Sequence, residues 1–117
     1  MKALTKKSST KLDFNELTKI ILKDLDDNKA DNIINIDLRK KSDLCQTMII
    51  ASGTSSRHAS SLAENLVFML KHLENRPEFA VEGLDSGQWV VIDLYNIVIH
   101  IFVPEVRGFY DLEGLWG

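Results

Sequence analysis

The chain has 117 residues, a formal net charge of −3 and a single cysteine. That length fits one domain burying roughly two-thirds of its unfolded surface, and the acidic balance argues against binding nucleic acid through a broad basic face. Cys45 alone cannot form an internal disulfide; it suits a reducing, cytoplasmic compartment and, in its apolar context, reads as a small buried hydrophobe rather than a nucleophile.

No apolar run approaches the roughly 18 residues of a membrane span, so no membrane association is predicted. The N-terminal lysines precede no hydrophobic segment and do not read as a secretory signal. Residues 1–11 are rich in Lys, Ser and Thr with almost nothing to bury, which predicts a flexible tail ahead of a single domain over residues 12–117. Lys2, Lys6, Lys7 and Lys11 within that tail read as a solvated end, with phosphate contact as the alternative.

Asp13 and Glu16 resemble a capping box opening a first helix, and Phe14, Leu17, Ile20, Ile21 and Leu25 form one apolar stripe along it. Asp24, Asp26 and Asp27 gather where the helix dipole disfavours them, so the helix is expected to stop near there. Consecutive spacing splays these acids, which favours a solvated face over a metal site. Asn32 to Leu38 alternates as a first strand, Arg39 to Asp43 reads as a polar loop, and Thr47 to Ser52 is a continuous apolar run suited to a strand covered on both sides.

Gly53-Thr54-Ser55-Ser56 leads into a strong amphipathic helix from about Arg57 to Leu73, with Leu62, Leu66, Leu70 and Leu73 on one side. A strand, a glycine and a helix N-terminus are elements of anion sites. One Gly without a GxGxxG pattern or a Walker lysine fits a strand-to-helix turn with a Ser cap better. Glu78 to Glu82 reads as a third strand. Gln88 to Asp93 and Asn96 to Val103 then form two strands rich in Val, Ile and aromatic residues. Glu105 to Tyr110 is a candidate turn of helix in the closing tail. This order predicts an α/β fold, a mixed five-stranded sheet with two main helices on its core face.

Only Leu94 and Tyr95 separate Asp93 from Asn96, so a tight hairpin with a two-residue loop is the simplest connection. That loop sets Asp93 opposite Asn96, Val91 opposite Val98 and Trp89 opposite His100. A four-residue loop keeps the same facing, whereas a three-residue loop with a bulge would shift it. Val90, Ile92, Ile97, Ile99 and Ile101 then form a uniformly aliphatic core face. Trp89, His100 and Phe102 share the opposite face with Asp93 and Asn96. Nothing obvious in the sequence supplies a layer of helices over it, and an open face of this composition suits a protein-binding surface. The competing reading makes the tryptophans core anchors and His100 a buried hydrogen-bonding residue.

GTSSRH, VEG, WVVIDL, VIHIF and PEVRGFYDLEGLW, in that order and spacing, resemble the ribosomal silencing factor family, also called Iojap-like proteins. The resemblance runs from about Leu12 to Trp116. It implies a topology akin to nucleotidyltransferases without their activity, and no cofactor. It further implies binding to the large ribosomal subunit through its protein number fourteen, at the surface that meets the small subunit. Subunit joining would be blocked there and translation repressed when nutrients run short, as in stationary phase. Off the ribosome the resemblance suggests a homodimer. On matching positions Trp89 corresponds to the tryptophan of that contact, and Glu82, Asp93, His100, Arg107, Tyr110, Glu113 and Trp116 hold the family's other characteristic partner-binding places. The chain departs from the family pattern at Gln46 and Thr47, before the second strand's apolar run, and at Tyr95-Asn96 in the hairpin turn.

An enzyme reading finds little to work with. Nucleotidyl transfer needs closely spaced carboxylates to hold Mg²⁺, yet after Gly53 the next acid is Glu64, inside the helix, and Asp37 and Asp93 lie singly on separate strands. His58, His72 and His100 sit in no recognisable nucleophile arrangement. A binding module therefore outranks a degenerate nucleotidyltransferase. Direct ribosomal RNA contact through Arg57, Arg107 or the lysine tail, as in an RNA-binding assembly factor, is the third reading.

Overall fold

The structure is a computed structural model that describes residues 13–41, 43 and 45–117. The expected N-terminal tail lies outside the described residues.

Helix α1 spans Phe14–Asp27, and Asp13 caps it by accepting from the Asn15 backbone N–H at 3.1 Å. Its buried side is Leu17, Thr18, Ile21 and Leu25. Ile20, placed in the stripe by its spacing, is only partly covered and stands outside the core, while Leu22 packs against it. Strand β1 (Asp31–Asp37) follows and then β2 (Thr47–Ser52), a strand buried at every position. Helix α2 (Ser56–Lys71) starts from a Ser55 cap and buries Ala59, Leu62, Ala63, Leu66 and Leu70. Strands β3 (Ala80–Glu82), β4 (Trp89–Asp93) and β5 (Ile97–Phe102) precede two short helices, α3 (Pro104–Tyr110) and α4 (Leu112–Trp116).

The five strands form one mixed sheet in the order β1-β2-β5-β4-β3. β2 and β5 run parallel at the centre, with Thr47 aligned to Ile97 and Ser52 to Phe102; the other pairings are antiparallel. α1 and α2 cover one face. Their Leu and Ile side chains meet Ile49, Ala51, Val90, Ile92, Ile97, Ile99 and Ile101, a core in which these seven strand residues are fully buried. Gly53 makes the β2-to-α2 turn possible, since a Cβ there would approach the Ala59 backbone nitrogen to 2.5 Å. The expected α/β architecture, with both main helices on one side of a five-stranded sheet, is what the chain adopts.

The hairpin register differs from the two-residue expectation. Asp93 stands opposite Val98, Val91 opposite His100, and Trp89 opposite Phe102. The loop is the longer one, because Leu94 N–H donates to Ile97 O at 2.9 Å and the ladder resumes only at Asp93–Val98. Tyr95 sits at φ 73° between Leu94 O and the Asn96 N–H that donates to it at 2.9 Å, a three-residue γ-turn. Asp93 Oδ1 steadies this strained residue by accepting the Tyr95 N–H at 2.9 Å. A slip of two residues preserves the facing of every side chain. The two faces are therefore divided as expected although the pairs are not.

Candidate functional site

The second face of the sheet carries Met48, Ile50 and Ser52 from β2, Val98, His100 and Phe102 from β5, and Trp89, Val91 and Asp93 from β4. Register extends it to Glu82, which pairs with Val91 at the far edge. This face is not open throughout. α3 and α4 fold back over part of it, and Val106, Leu112 and Trp116 pack with Leu38, Met48, Ile50 and a fully buried Phe102. The layer missing from the sequence reading is the tail itself. Two helices of seven and five residues are too short to show a clear apolar period.

A buried polar contact pins this tail. Arg107 is 7% exposed. Its Nε donates to Glu113 Oε2 at 2.9 Å and a terminal guanidinium nitrogen donates to Ser52 Oγ at 2.8 Å. One ion pair thus ties α3 to α4, and one hydrogen bond ties both to β2. Glu113 Oε1 is buried with no hydrogen-bond partner among the described residues, so Arg107 carries the whole compensation of that carboxylate. Arg107, expected to face a partner, is buried, and Glu113, expected likewise, is partly covered and paired with it. Trp116 is half-buried in the same cluster, and Lys41 Nζ donates to its carbonyl oxygen at 2.7 Å.

Where the cover ends, aromatic rings continue outward in a stack. Phe102 lies 4.9 Å from Trp89 between ring centroids, Trp89 lies 4.6 Å from Tyr110, and Tyr110 meets Phe109 edge-on at 5.0 Å. Exposure rises along the series from a fully buried Phe102 through a half-buried Trp89 to Tyr110 at 50% and Phe109 at 81%. Trp89 Nε1 donates to His100 Nδ1 at 3.0 Å, which places the imidazole proton on Nε2. Burial holds the His100 pKa down at about 4, so this acceptor is neutral at physiological pH. Gly83 lets the loop before β4 close against Trp89: its φ is 86°, and a Cβ there would come within 2.1 Å of the Trp89 carbonyl oxygen. Beyond the rings the sheet displays the exposed carboxylates of Asp93 and Glu82.

Of the eight residues singled out from the sequence, the structure brings Trp89, His100 and Tyr110 into one cluster. Asp93 and Glu82 stand on the same sheet face, and Arg107, Glu113 and Trp116 hold the cover in place. Phe109 and Ser52 were missed. An aromatic pair in the tail was a signal for Phe109, whereas nothing local marks Ser52 as the acceptor for a residue so far along the chain.

The serine-rich turn after β2 is internally engaged. Thr54 N–H donates to His58 Nδ1 at 2.9 Å, Ser55 Oγ accepts from the His58 N–H at 3.0 Å, and His58 Nε2 reaches Asn28 O at 3.1 Å. His58 thereby joins the start of α2 to the end of α1. Among the described residues no three His, Cys, Asp or Glu side chains are grouped to hold a metal ion. No described helix is long and apolar enough to cross a membrane.

Comparison with known proteins bears on the family and the fold. A family model described as "Ribosomal silencing factor during starvation" matches residues 11–117. A Zymomonas mobilis protein named Ribosomal silencing factor RsfS is 40% identical over 112 residues, covering 96% of this chain and 84% of its own length. A mouse protein named Mitochondrial assembly of ribosomal large subunit protein 1 is 44% identical over 70 residues, covering 58% of this chain and 31% of its own. Among solved structures, a crystal structure from Chromobacterium violaceum superposes with a TM-score of 0.85 at 37% identity, covering 91% of this chain and 88% of that one. The chain belongs to the ribosomal silencing factor family.

Proposed function

We propose that this protein is a non-enzymatic translational repressor of the cytoplasm. It binds the large ribosomal subunit on its protein number fourteen and keeps the small subunit from joining when nutrients are short. The observation that carries this reading is the graded aromatic stack Phe102–Trp89–Tyr110–Phe109, which shares with the exposed carboxylates of Glu82 and Asp93 the sheet face away from the aliphatic core. Aromatic side chains ordered before binding make efficient interface anchors. Acidic groups at the margin suit the basic surface of a ribosomal protein and speed encounter with it. Of the two strand aspartates weighed for a metal clamp, Asp37 on β1 is paired with Arg39, and Asp93 on β4 serves the hairpin turn.

Sedimentation with purified ribosomal subunits tests the proposal. The protein is expected to travel with the large subunit, and Trp89→Ala should weaken that association by roughly 30-fold, the ~2 kcal/mol of an aromatic anchor. Adding small subunits should yield fewer joined ribosomes in its presence. Migration with the small subunit alone, or joining at an unchanged level with the large subunit saturated, would remove the proposed function.

A further inference from the structure

His100 shares the sheet face of the aromatic stack and flanks its inner end, its ring 6.0 Å from Phe102 between centroids and 15° from parallel. Its direct cross-strand partner is Val91, and Trp89 is its diagonal neighbour one step outward on β4. The Trp89 and His100 ring centroids are 5.9 Å apart and tilted by 43°, an arrangement governed by the Nε1–Nδ1 hydrogen bond rather than by face-to-face stacking. Ile50 aligns with His100 on the other side, from β2. The imidazole is thus a half-buried polar group between aliphatic strand neighbours and the Phe102 ring, and among the described residues the indole is its one hydrogen-bond contact.

We propose that His100 is a positioning residue, one that serves the partner site by fixing the Trp89 indole and does not itself touch the partner. This rests on the aromatic stack being the ribosome-binding site. An indole has one hydrogen-bond donor, and here that donor is spent inside the protein. The partner therefore meets Trp89 as an apolar ring surface, with no N–H to satisfy. The bond also sets the ring's rotation between Phe102 and Tyr110 before the partner arrives, which lowers the entropy lost on binding. The same bond keeps a half-buried donor from being stranded when water is expelled from the interface.

Two substitutions at His100 separate positioning from contact. His100→Asn places an amide oxygen near the position of Nδ1, so the acceptor is retained. His100→Leu keeps much of the volume and removes the acceptor. In the free protein, exchange of the Trp89 indole proton, assigned by its loss in Trp89→Phe, should be about as slow in His100→Asn as in the parent and at least about tenfold faster in His100→Leu. In sedimentation with large subunits, His100→Leu should bind roughly five- to tenfold more weakly than the parent and His100→Asn within about twofold of it. The same His100→Leu change made in a Trp89→Phe background should cost nothing further, because the residue through which His100 acts no longer has a donor. An equal loss in both backgrounds would make His100 a partner contact and overturn the proposal, as would an unchanged indole exchange rate in His100→Leu. Failure of the parent to bind large subunits would instead strike the functional reading, with the exchange measurement still deciding whether His100 holds the indole.

Discussion

The two faces of the sheet are built on opposite terms. Under α1 and α2 the three inner strands present Val, Ile and Ala, with Thr47 at one end, and seven of these aliphatic residues are fully buried by the helices. Under α3 and α4 the strands present Met, Ser, Trp, His and Phe, and the cover is two short helices held by one ion pair. Aliphatic packing tolerates no gap but asks nothing of orientation beyond shape. The second face depends on polar bonds that are directional and on rings left partly exposed. Stability is concentrated on the first face, and the second is free to carry recognition.

The sharpest way to break that contrast is to damage each face in turn. Leu66 is fully buried on α2, so Leu66→Ala should lower unfolding free energy by ~2–5 kcal/mol in denaturant titrations. Its effect on ribosome binding should follow only from the unfolded fraction. A loss below about 0.5 kcal/mol, typical of a surface site, would show that α2 does not anchor the core.

Arg107→Ala attacks the other side. It strands the Glu113 carboxylate against the sheet and frees the tail, at a cost of about 2–3 kcal/mol. This is less than for a fully buried pair because Glu113 retains 29% side-chain exposure. Unlike Leu66→Ala, it should weaken large-subunit binding even where the protein remains folded, since Tyr110 and Phe109 ride on the helix that Arg107 pins. Equal binding by folded Arg107→Ala and parent would uncouple tail and site.

The smallest expected effect is the pH dependence of the second face. The folded-state pKa of His100 lies below its ordinary value of 6.5, at about 4. Between those values the unfolded chain binds the proton more readily than the folded one. The stability contributed by the neutral His100 is complete above the unfolded value and is lost as pH falls toward the folded one. From neutrality to about pH 5.5 the loss should be about 1 kcal/mol, absent in His100→Asn. Parallel pH profiles for the two proteins would show that His100 does not titrate as its burial requires.

The strand sequences made the division of faces readable, because period-two alternation survives a register error of two residues. The register itself was hidden. A buried Leu94 and an Asp93 side chain that captures the next-but-one N–H place a tyrosine at positive φ, where turn chemistry favours Gly or Asn. The core helices were legible from their leucine spacing and the turn of helix over Glu105 to Tyr110 from the tail's sequence, whereas the docking of that tail on the sheet was not. Its folded form depends on Arg107 reaching Ser52, a contact between distant parts of the chain that no local pattern announces. The aromatic residues could be named as candidates, whereas their order from buried to exposed is a product of that same closure.

The parallel β2–β5 ladder has a consequence for how the molecule forms. β1 pairs with β2 and the β3–β4–β5 meander pairs within itself, each through neighbours in sequence. The two groups join only when Thr47–Ser52 lies beside Ile97–Phe102, which closes a long loop containing α2 and the meander's first strands. Loop-closure entropy opposes that step until its contacts are made, so long-range pairing slows folding more than it limits final stability. Ser52 and Phe102, the floor on which the tail settles, are brought together by this same pairing. The floor of the proposed recognition face therefore cannot form before the central ladder has paired.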